Sequence, residues 1–305
     1  MEIKTVAIIG LGALGIMYGK RFVDHLGRDA VRIIADTRRI ERYKREGVYC
    51  NGEACDFHYV DAGEQVEPAD LLIFTVKYTG LKQAIESARN QVGPRTILIS
   101  FLNGISSEQM IGEAFGFDRL LYCIVAGMDA SKIGNKLTWT KIGFVSFGEK
   151  DDTRTEKTAA LQRLFEKAEI PYEIPKHILH KMWSKLMVNT GVNQSTAVFK
   201  TNYGGIQVPG RPRETVIAAM KEVIRVAQAE GVPLREEEID GWLKINDTLN
   251  PEGMPSMRQD TLQHRPTEVD LFAGTIRRLG RRHGIPTPVN DFLYTHLREI
   301  EASYS

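Results

Sequence analysis

The sequence predicts an α/β protein in which a doubly wound parallel sheet, residues 1–174, precedes an all-α domain, residues 175–305. Three observations support this prediction. A run rich in β-branched residues at 3–9 leads into a glycine-rich turn and then a helical pattern. Further strand-like runs follow with helical spacing among them. From Lys176 onward the apolar spacing is helical, and this half of the sequence contains no period-two runs.

Size and composition are typical of a soluble globular protein. With 305 residues the chain is long enough for two cores, and its net charge of +1 excludes the basic field that attracts nucleic acid or anionic membranes. No apolar run approaches the ~20 residues that span a bilayer. Met1 opens almost directly into a strand, so we expect no signal peptide.

The cysteines Cys50, Cys55 and Cys123 have no metal-ligand spacing, so we expect no metal. Their odd number favours a reduced, cytoplasmic setting, although Cys50 and Cys55 are close enough in sequence to pair.

The first strand is followed by Gly10-Leu11-Gly12-Ala13-Leu14-Gly15, with a helix predicted from Ala13 to about Leu26. This G-x-G-x-x-G pattern between a strand and a helix predicts a Rossmann-type dinucleotide site. Gly10 permits the tight turn, Gly12 lets the backbone approach a pyrophosphate, and Gly15 lets helix and strand pack closely. The helix N-terminus offers N–H groups and partial positive charge to the phosphates. The alternative is a glycine turn without a ligand.

Asp36 follows the second predicted strand, residues 31–35. A carboxylate there usually accepts hydrogen bonds from the adenosine ribose and favours NAD. Arg38 and Arg39 keep NADP open, because arginines there can bind the 2′-phosphate. Either arginine could equally be a solvated charge at a helix start, and for Arg39 we favour that interpretation.

Lys77 and Asn103 follow the strands predicted at 71–76 and 97–101. Ligands of doubly wound sheets bind outside the carboxyl ends of the strands. Lys77 can meet a phosphate or a carboxylate, and Asn103 can orient a nicotinamide ribose or a carbonyl. The alternative is ordinary loop polarity. Further strands are predicted at 57–60, 120–125, 141–147 and 172–174, with helical spacing at 151–168.

A long helix predicted from about 176 to 197 carries polar residues on its buried face. At 100° per residue, Lys185, Asn189 and Asn193 point the same way as the apolar stripe. A buried ammonium is costly unless paired, and buried amides need partners. The chain must therefore supply an anion, a ligand or a water-filled cleft there. The alternative is that these polar residues lie along a solvated boundary between the domains.

Glu268 points inward at the start of a second helix, predicted at 267–283, where the helix dipole favours a carboxylate. We hypothesise that Glu268 is the counter-charge of Lys185; the alternative is a helix-start charge turned to solvent. Further helices are predicted at 215–230, 236–249 and 289–302. The cleft between the two domains is the default site.

Several motifs follow one another in a specific order and spacing. After the glycine turn come Val76-Lys77, Asn103-Gly104, Trp183-Ser184-Lys185-Leu186 with Asn189 and Asn193, Pro255-Ser256-Met257-Arg258-Gln259-Asp260, and Arg265-Pro266-Thr267-Glu268-Val269-Asp270. Together they resemble the ketopantoate reductase (2-dehydropantoate 2-reductase) family of the 6-phosphogluconate-dehydrogenase-like superfamily. The resemblance covers essentially the whole chain.

The resemblance implies hydride transfer from NADPH to the ketone of 2-dehydropantoate, giving pantoate for coenzyme A biosynthesis. Lys185 would stabilise the charge on the ketone oxygen and donate the proton, and Glu268 would orient it. Domain closure would exclude water. The remaining roles are substrate binding by Asn103, Asn189, Asn193 and Ser256, and cofactor contact by Lys77 and Asn103.

The chain departs from the family pattern in three places. Asp36 stands where this family commonly has an arginine, which makes NADH plausible as well. The segments Asn202–Ile206 and Gln263–Arg265 also differ, so another branched 2-oxo acid stays open as the substrate. A phosphate-bearing substrate held by Arg258 and Arg265, and a non-catalytic dinucleotide sensor, are further alternatives. The helical half offers enough apolar surface for a homodimer.

Overall fold

The computed structural model describes residues 1–304, which divide into two compact units. The first unit comprises Met1–Asn103 and Ser107–Ile178. The second comprises Gly104–Ser106 and the chain from Leu179 onward. Each unit has its own buried apolar residues.

The first unit contains twelve strands and five α-helices. The strands are β1 (Val6–Ile9), β2 (Val31–Ala35), β3 (Tyr49–Cys50), β4 (Glu53–Ala54), β5 (His58–Asp61), β6 (Leu71–Phe74), β7 (Ile97–Ser100), β8 (Tyr122–Ala126), β9 (Asp129–Ile133), β10 (Lys136–Lys141), β11 (Phe144–Gly148) and β12 (Tyr172–Glu173). The helices are α1 (Ala13–Leu26), α2 (Thr37–Glu46), α3 (Leu81–Ser87), α4 (Ser107–Phe115) and α5 (Glu156–Lys167).

The central sheet is parallel and has the strand order β5-β2-β1-β6-β7. Strands β1, β6 and β7 are buried along their whole length, which is why they appear in the sequence as continuous apolar runs. The predicted Rossmann-type sheet is confirmed. Two smaller sheets have the orders β4-β3-β10-β9 and β12-β11-β8.

The smaller sheets are where the strand predictions fail. The strand predicted at 141–147 corresponds to β11 but is predicted to start three residues too early, because the chain turns at Gly143, which has a φ of +72°, between β10 and β11. Strands β3, β4 and β9 are not predicted at all. They are two to five residues long, and β4 and β9 are largely exposed, so neither periodicity nor apolar content marks them.

The second unit is helical. It contains α6 (Ile178–Val188), a first π turn (Asn189–Asn193), α7 (Gln194–Val198), α8 (Gly204–Gln207), α9 (Arg211–Ala229), α10 (Glu237–Asp247), α11 (Ser256–Leu262), a second π turn (Asp270–Gly274), α12 (Thr275–His283) and α13 (Pro288–Ala302). Within residues 1–304, no helix is both long and apolar enough to cross a membrane.

Two of the predicted helices need correction. The helix predicted at 176–197 is interrupted by the first π turn, and the helix predicted at 267–283 begins with the second. Glu268 therefore lies on a bend two residues before its helix rather than inside it. A π turn holds one more residue than an α turn, which a wheel drawn at a constant 100° cannot represent.

A buried carboxylate anchors the last helix. Glu222 of α9 is only 2% exposed and accepts the N–H groups of Val289, at 2.8 Å, and Asn290, at 2.9 Å, in the first turn of α13. It also accepts the side-chain amide of Asn290 at 2.8 Å. The first N–H groups of a helix lack partners within the helix, so Glu222 satisfies them across the unit.

Glu108 is a buried carboxyl in the core of the first unit. It accepts the hydroxyl of Ser107 at 2.9 Å, and Ser107 in turn accepts the hydroxyl of Ser100 at 2.8 Å. Its second oxygen, Oε1, is buried and has no hydrogen-bond partner within residues 1–304. Burial raises the pKa of this carboxyl to about 7, because ionisation would leave a desolvated charge.

We predict that Glu108 makes stability fall as the pH rises. Between its ordinary pKa of 4.5 and about 7, the unfolded chain ionises while the folded chain keeps the proton. The loss of folding stability is absent below pH 4.5 and complete above about pH 7, and it amounts to at most about 3 kcal/mol. Glu108→Gln should therefore gain stability relative to the wild type across that window, as measured by urea unfolding from pH 4.5 to 8.

The control is Glu113→Gln, which removes an exposed carboxylate from the same helix and reports the effect of net charge alone. A constant difference between Glu108→Gln and the wild type over the whole pH range would mean that the native Glu108 is not protonated at neutral pH.

Candidate active site

The glycine turn of the first unit is fixed by close packing. Gly10 has a φ of +104°, and a Cβ there would lie 2.8 Å from Cγ1 of Val76. A Cβ on Gly15 would lie 2.0 Å from the carbonyl oxygen of Gly10, which also accepts the Thr75 hydroxyl at 2.5 Å. Neither glycine can carry a side chain, so strand and helix meet here at backbone distance.

Gly12 differs from the other two glycines because the protein leaves space around it. The nearest atom to a Cβ placed there is the Thr75 carbonyl oxygen, at 3.4 Å. Gly12 directly precedes α1, and the first turn of α1 contains no acidic residue. Leu11 is buried, and Ala13 and Leu14 pack on the core. An open glycine before a helix N-terminus fits the pyrophosphate of a dinucleotide.

Asp36 caps α2. Its Oδ1 accepts the backbone N–H of Arg39 at 2.8 Å, and its Oδ2 lies 3.5 Å from the Arg39 guanidinium. Arg38 and Arg39 are both exposed. Asp36 therefore presents its carboxylate at the carboxyl end of β2 while holding the start of the helix.

Asp61 is a second carboxylate at the same edge, and the sequence analysis did not identify it. It ends β5 and is paired in register with Ala35, the last residue of β2. The hydroxyl of Thr37, at 2.6 Å, and the N–H of Gly63, at 2.9 Å, donate to it and hold its pKa below the ordinary value. Its proximity to Asp36 follows from the strand order, which the sequence pattern does not provide.

Lys77 and Asn103 follow neighbouring strands of the sheet. β6 ends at Phe74 and β7 at Ser100, and these two residues are paired. Lys77 is exposed and Asn103 is half-buried. Each lies three residues beyond its strand, on the side where ligands of such sheets bind.

In the second unit, the structure joins two of the predicted site residues directly. Asn189 and Asn193 are the first and last residues of the first π turn, and the Asn193 amide donates to Oδ1 of Asn189 at 3.2 Å. Lys185 is half-buried in the last turn of α6, four residues before Asn189. The preceding residue, Ser184, accepts the indole N–H of Trp242 at 2.9 Å, which ties this turn to α10.

Glu268 and Ser256 lie on separate segments of the same unit. Glu268 is half-buried, and its carbonyl oxygen accepts the N–H groups of Leu271, at 3.0 Å, and Phe272, at 3.2 Å. Ser256 is the exposed first residue of α11. Both therefore stand at the beginning of a helical segment.

Gln194 is a buried residue that the sequence analysis missed. It directly follows the first π turn and is fully buried. Its Nε2 donates to the Thr190 carbonyl at 2.8 Å, and its Oε1 accepts the N–H of Ala273 at 3.1 Å. No sequence signal marks it, because its role depends on two irregular turns that are far apart in the chain.

The two arginines considered for a phosphate-bearing substrate have internal partners. Nε of Arg265 donates to Oδ1 of Asp260 at 2.8 Å. Arg258 donates to the Lys200 carbonyl at 3.3 Å. Because both guanidinium groups already donate to protein oxygens, they are less suited to bind the phosphate of a substrate. Among residues 1–304, no group of three or more His, Cys, Asp or Glu side chains is arranged to hold a metal ion.

Comparison with known families and proteins gives a consistent result. The chain matches the model "Ketopantoate reductase PanE/ApbA" over residues 6–152 and "Ketopantoate reductase PanE/ApbA C terminal" over residues 177–301. It is 29% identical to a 2-dehydropantoate 2-reductase of Vibrio cholerae over 238 residues, which covers 78% of this chain and 79% of the relative.

Solved structures share the fold over the whole chain. A D-mandelate dehydrogenase in a ternary complex with NADH and anilino(oxo)acetate has a TM-score of 0.85 at 23% identity, covering 98% of this chain and 99% of that one. A dimeric ketopantoate reductase from Staphylococcus aureus has a TM-score of 0.83 at 23% identity, covering 99% and 100%.

We predict that substitutions at Gly12 and Gly15 separate cofactor binding from folding. Gly12→Ala should keep the wild-type melting temperature within about 2 °C, because its Cβ meets no atom closer than 3.4 Å. It should weaken NADH binding at least about tenfold, because the methyl group occupies the space of the pyrophosphate. Tryptophan fluorescence titration and thermal unfolding measure the two effects.

Gly15→Ala is the matched comparison, since its Cβ would meet the Gly10 carbonyl oxygen at 2.0 Å and must disturb the packing of α1. Wild-type NADH affinity in folded Gly12→Ala would contradict a dinucleotide at this turn.

Proposed function

Because the chain belongs to the ketopantoate reductase PanE/ApbA family, we propose that it reduces 2-dehydropantoate to pantoate with a hydride from a reduced nicotinamide dinucleotide. The observation that carries this proposal is the half-buried Lys185 one turn before the hydrogen-bonded amides of Asn189 and Asn193. A dinucleotide sensor would not need such a group. The open turn at Gly12 supports the cofactor half of the reaction.

We assign the proton-transfer step to Lys185. When bound, the reduced nicotinamide supplies the hydride to the carbonyl carbon. As that carbon gains the hydride, its oxygen gains negative charge, which an ammonium can stabilise and then protonate. Glu268 orients Lys185 or shares its hydrogen-bond network, and Asn103, Asn189, Asn193 and Ser256 hold the substrate's carboxylate, ketone or hydroxyl. Lys77 and Asn103 also face the cofactor.

A second candidate is a reductase of another branched 2-oxo acid. The segment that departs from the family pattern packs on the loop leading to Ser256: the N–H of Tyr203 donates to the Gly253 carbonyl at 2.9 Å, and that of Gly204 to the Pro251 carbonyl at 2.9 Å. A different sequence in this segment can shift the loop before Ser256 and so alter the position of the Ser256 hydroxyl relative to a substrate. The structural relative that acts on mandelate fits the same chemistry with a different side chain.

The deciding assay is oxidation of NADH and NADPH with 2-dehydropantoate and a panel of branched and aromatic 2-oxo acids. Highest kcat/KM with 2-dehydropantoate supports the first candidate. Highest kcat/KM with another 2-oxo acid supports the second, and tight cofactor binding without any turnover supports the sensor.

For the cofactor we propose a preference for NADH. Asp36 and Asp61 place two carboxylates at the adjacent ends of β2 and β5. The 2′-phosphate of NADPH would be repelled by both, whereas ribose hydroxyls can donate hydrogen bonds to them. The D-mandelate dehydrogenase relative, which was solved with NADH, agrees with this choice.

We predict that Lys185→Ala lowers kcat about 10²- to 10⁴-fold, because the reaction loses its proton donor and its charge stabilisation. The Kd for NADH should stay within about threefold of wild type. Steady-state kinetics and fluorescence titration measure the two quantities. Lys244→Ala, which removes an exposed lysine of α10, is the control for loss of one positive charge.

Glu268→Ala is measured in the same assays. It should change both kcat and the pH dependence of kcat, because Lys185 loses the carboxylate that we propose orients it. Loss of NADH binding in Lys185→Ala would instead place this lysine with the cofactor phosphates. An unchanged pH profile in Glu268→Ala would remove Glu268 from the mechanism.

We predict that Asp36→Arg shifts the ratio of kcat/KM for NADPH over NADH at least about tenfold toward NADPH, because it replaces repulsion of the 2′-phosphate with attraction. It should also cost about 1 kcal/mol of stability through loss of the cap on α2. Asp36→Asn is the matched variant, since asparagine keeps the cap but removes the charge. No shift in either variant would mean that Asp36 does not reach the ribose.

A further inference from the structure

Both irregular turns of the second unit adjoin the proposed catalytic residues. The first π turn, Asn189–Asn193, begins four residues after Lys185, and the second, Asp270–Gly274, begins two residues after Glu268. The two turns contact each other. π turns are rare and are frequently found at functional sites, so a pair in contact calls for a physical explanation.

The second π turn displaces one backbone donor. In an α-helix the Val269 carbonyl would accept the N–H of Ala273, but here it accepts the N–H of Gly274, at 2.9 Å. The N–H of Ala273 donates instead to Oε1 of Gln194, at 3.1 Å. Ala273 is fully buried, so water is not available to take the place of this amide.

The same side chain also reaches back into the first π turn. Nε2 of Gln194 donates to the Thr190 carbonyl at 2.8 Å, so one buried amide uses its donor on one turn and its acceptor on the other. The first turn is itself held against α9, because a Cβ on Gly191 would lie 2.9 Å from the Val216 carbonyl oxygen and from Cγ of Met220. The first π turn is therefore fixed by packing against α9, and Gln194 is anchored to this turn through Thr190.

We propose that Gln194 is a positioning residue that locks the register of the two π turns and thereby aligns Lys185, Asn189 and Asn193 with Glu268. The inference rests on the proposed function. Without the amide, relaxation of the second turn to α geometry would satisfy Ala273 by shifting the backbone pairing by one residue. That shift rotates the residues on one side of the turn by about 100° and would carry Glu268 with it.

Gln194→Met is the first test, because methionine keeps an unbranched side chain of similar length but cannot make either hydrogen bond. We expect kcat to fall about 10- to 100-fold through misalignment of the reacting groups. The KM and Kd for NADH should stay within about twofold, since the glycine turn belongs to the first unit. Hydrogen exchange followed by mass spectrometry should show a changed exchange rate in peptides covering 269–274, because the backbone hydrogen-bond pairing of that turn changes.

Ser195→Ala is the matched control. Ser195 is the next residue, is equally buried, and its hydroxyl has no hydrogen-bond partner within residues 1–304. The substitution disturbs the same part of the core without breaking a bond, so kcat and exchange should stay near wild type. Equal kcat and equal exchange in Gln194→Met and Ser195→Ala would overturn the proposal.

Gln194→Glu is a second variant that remains informative if Gln194→Met does not fold. A protonated glutamic acid has an O–H that can donate to the Thr190 carbonyl and an oxygen that can accept from Ala273, whereas the carboxylate cannot donate to Thr190. Its kcat relative to wild type should therefore recover as the pH is lowered, and a ratio that stays constant with pH would contradict the bridge. Absence of turnover by the wild-type enzyme would overturn the proposed function, whereas the exchange data would still decide whether Gln194 couples the two turns.

Discussion

In the interior of the helical unit, each backbone N–H that leaves its regular partner must find another, because a buried unpaired donor is costly. The second π turn creates one such donor at Ala273, and Gln194 is the acceptor that the fold provides. Because the same amide donates to Thr190, two irregular turns that are about eighty residues apart in the chain share one side chain. The geometry of the proposed catalytic residues depends on that shared hydrogen-bonded link.

The first unit is governed by a different constraint, which is the distance between backbone segments. Gly15 lies so close to the Gly10 carbonyl that no side chain fits, whereas the space beside Gly12 is open. Parallel strand order then brings the residues that end β2 and β5 to one edge, which is how Asp36 and Asp61 become neighbours. The second unit therefore positions its polar residues by buried hydrogen bonds, whereas the first unit positions its glycine turn and its strand-end carboxylates by packing and strand order.

The sequence predicts those features whose causes are local. The start of α1 and both ends of β2 are predicted to the residue, and α1 ends at the position given approximately, because glycine or Asp36 marks an end next to a clear apolar pattern. Asn189 and Asn193 are correctly placed on one face, even though the wheel assumes an α-helix, because residues four apart also lie close together across a π turn. Gln194 and Asp61 cannot be found in this way, since their roles depend on partners that only the tertiary structure provides.

Asp36 shows how folding and cofactor choice can use the same carboxylate. A carboxylate has about four acceptor positions, so capping Arg39 through Oδ1 leaves capacity for ribose hydroxyls. The cap also occupies a backbone N–H at the start of α2 that would otherwise favour a phosphate there. Arg39 is already paired with this carboxylate, at 3.5 Å, which leaves Arg38 to oppose two acids. The proposed preference for NADH therefore rests on the balance of charge and hydrogen bonding at this edge, where two carboxylates face the exposed Arg38.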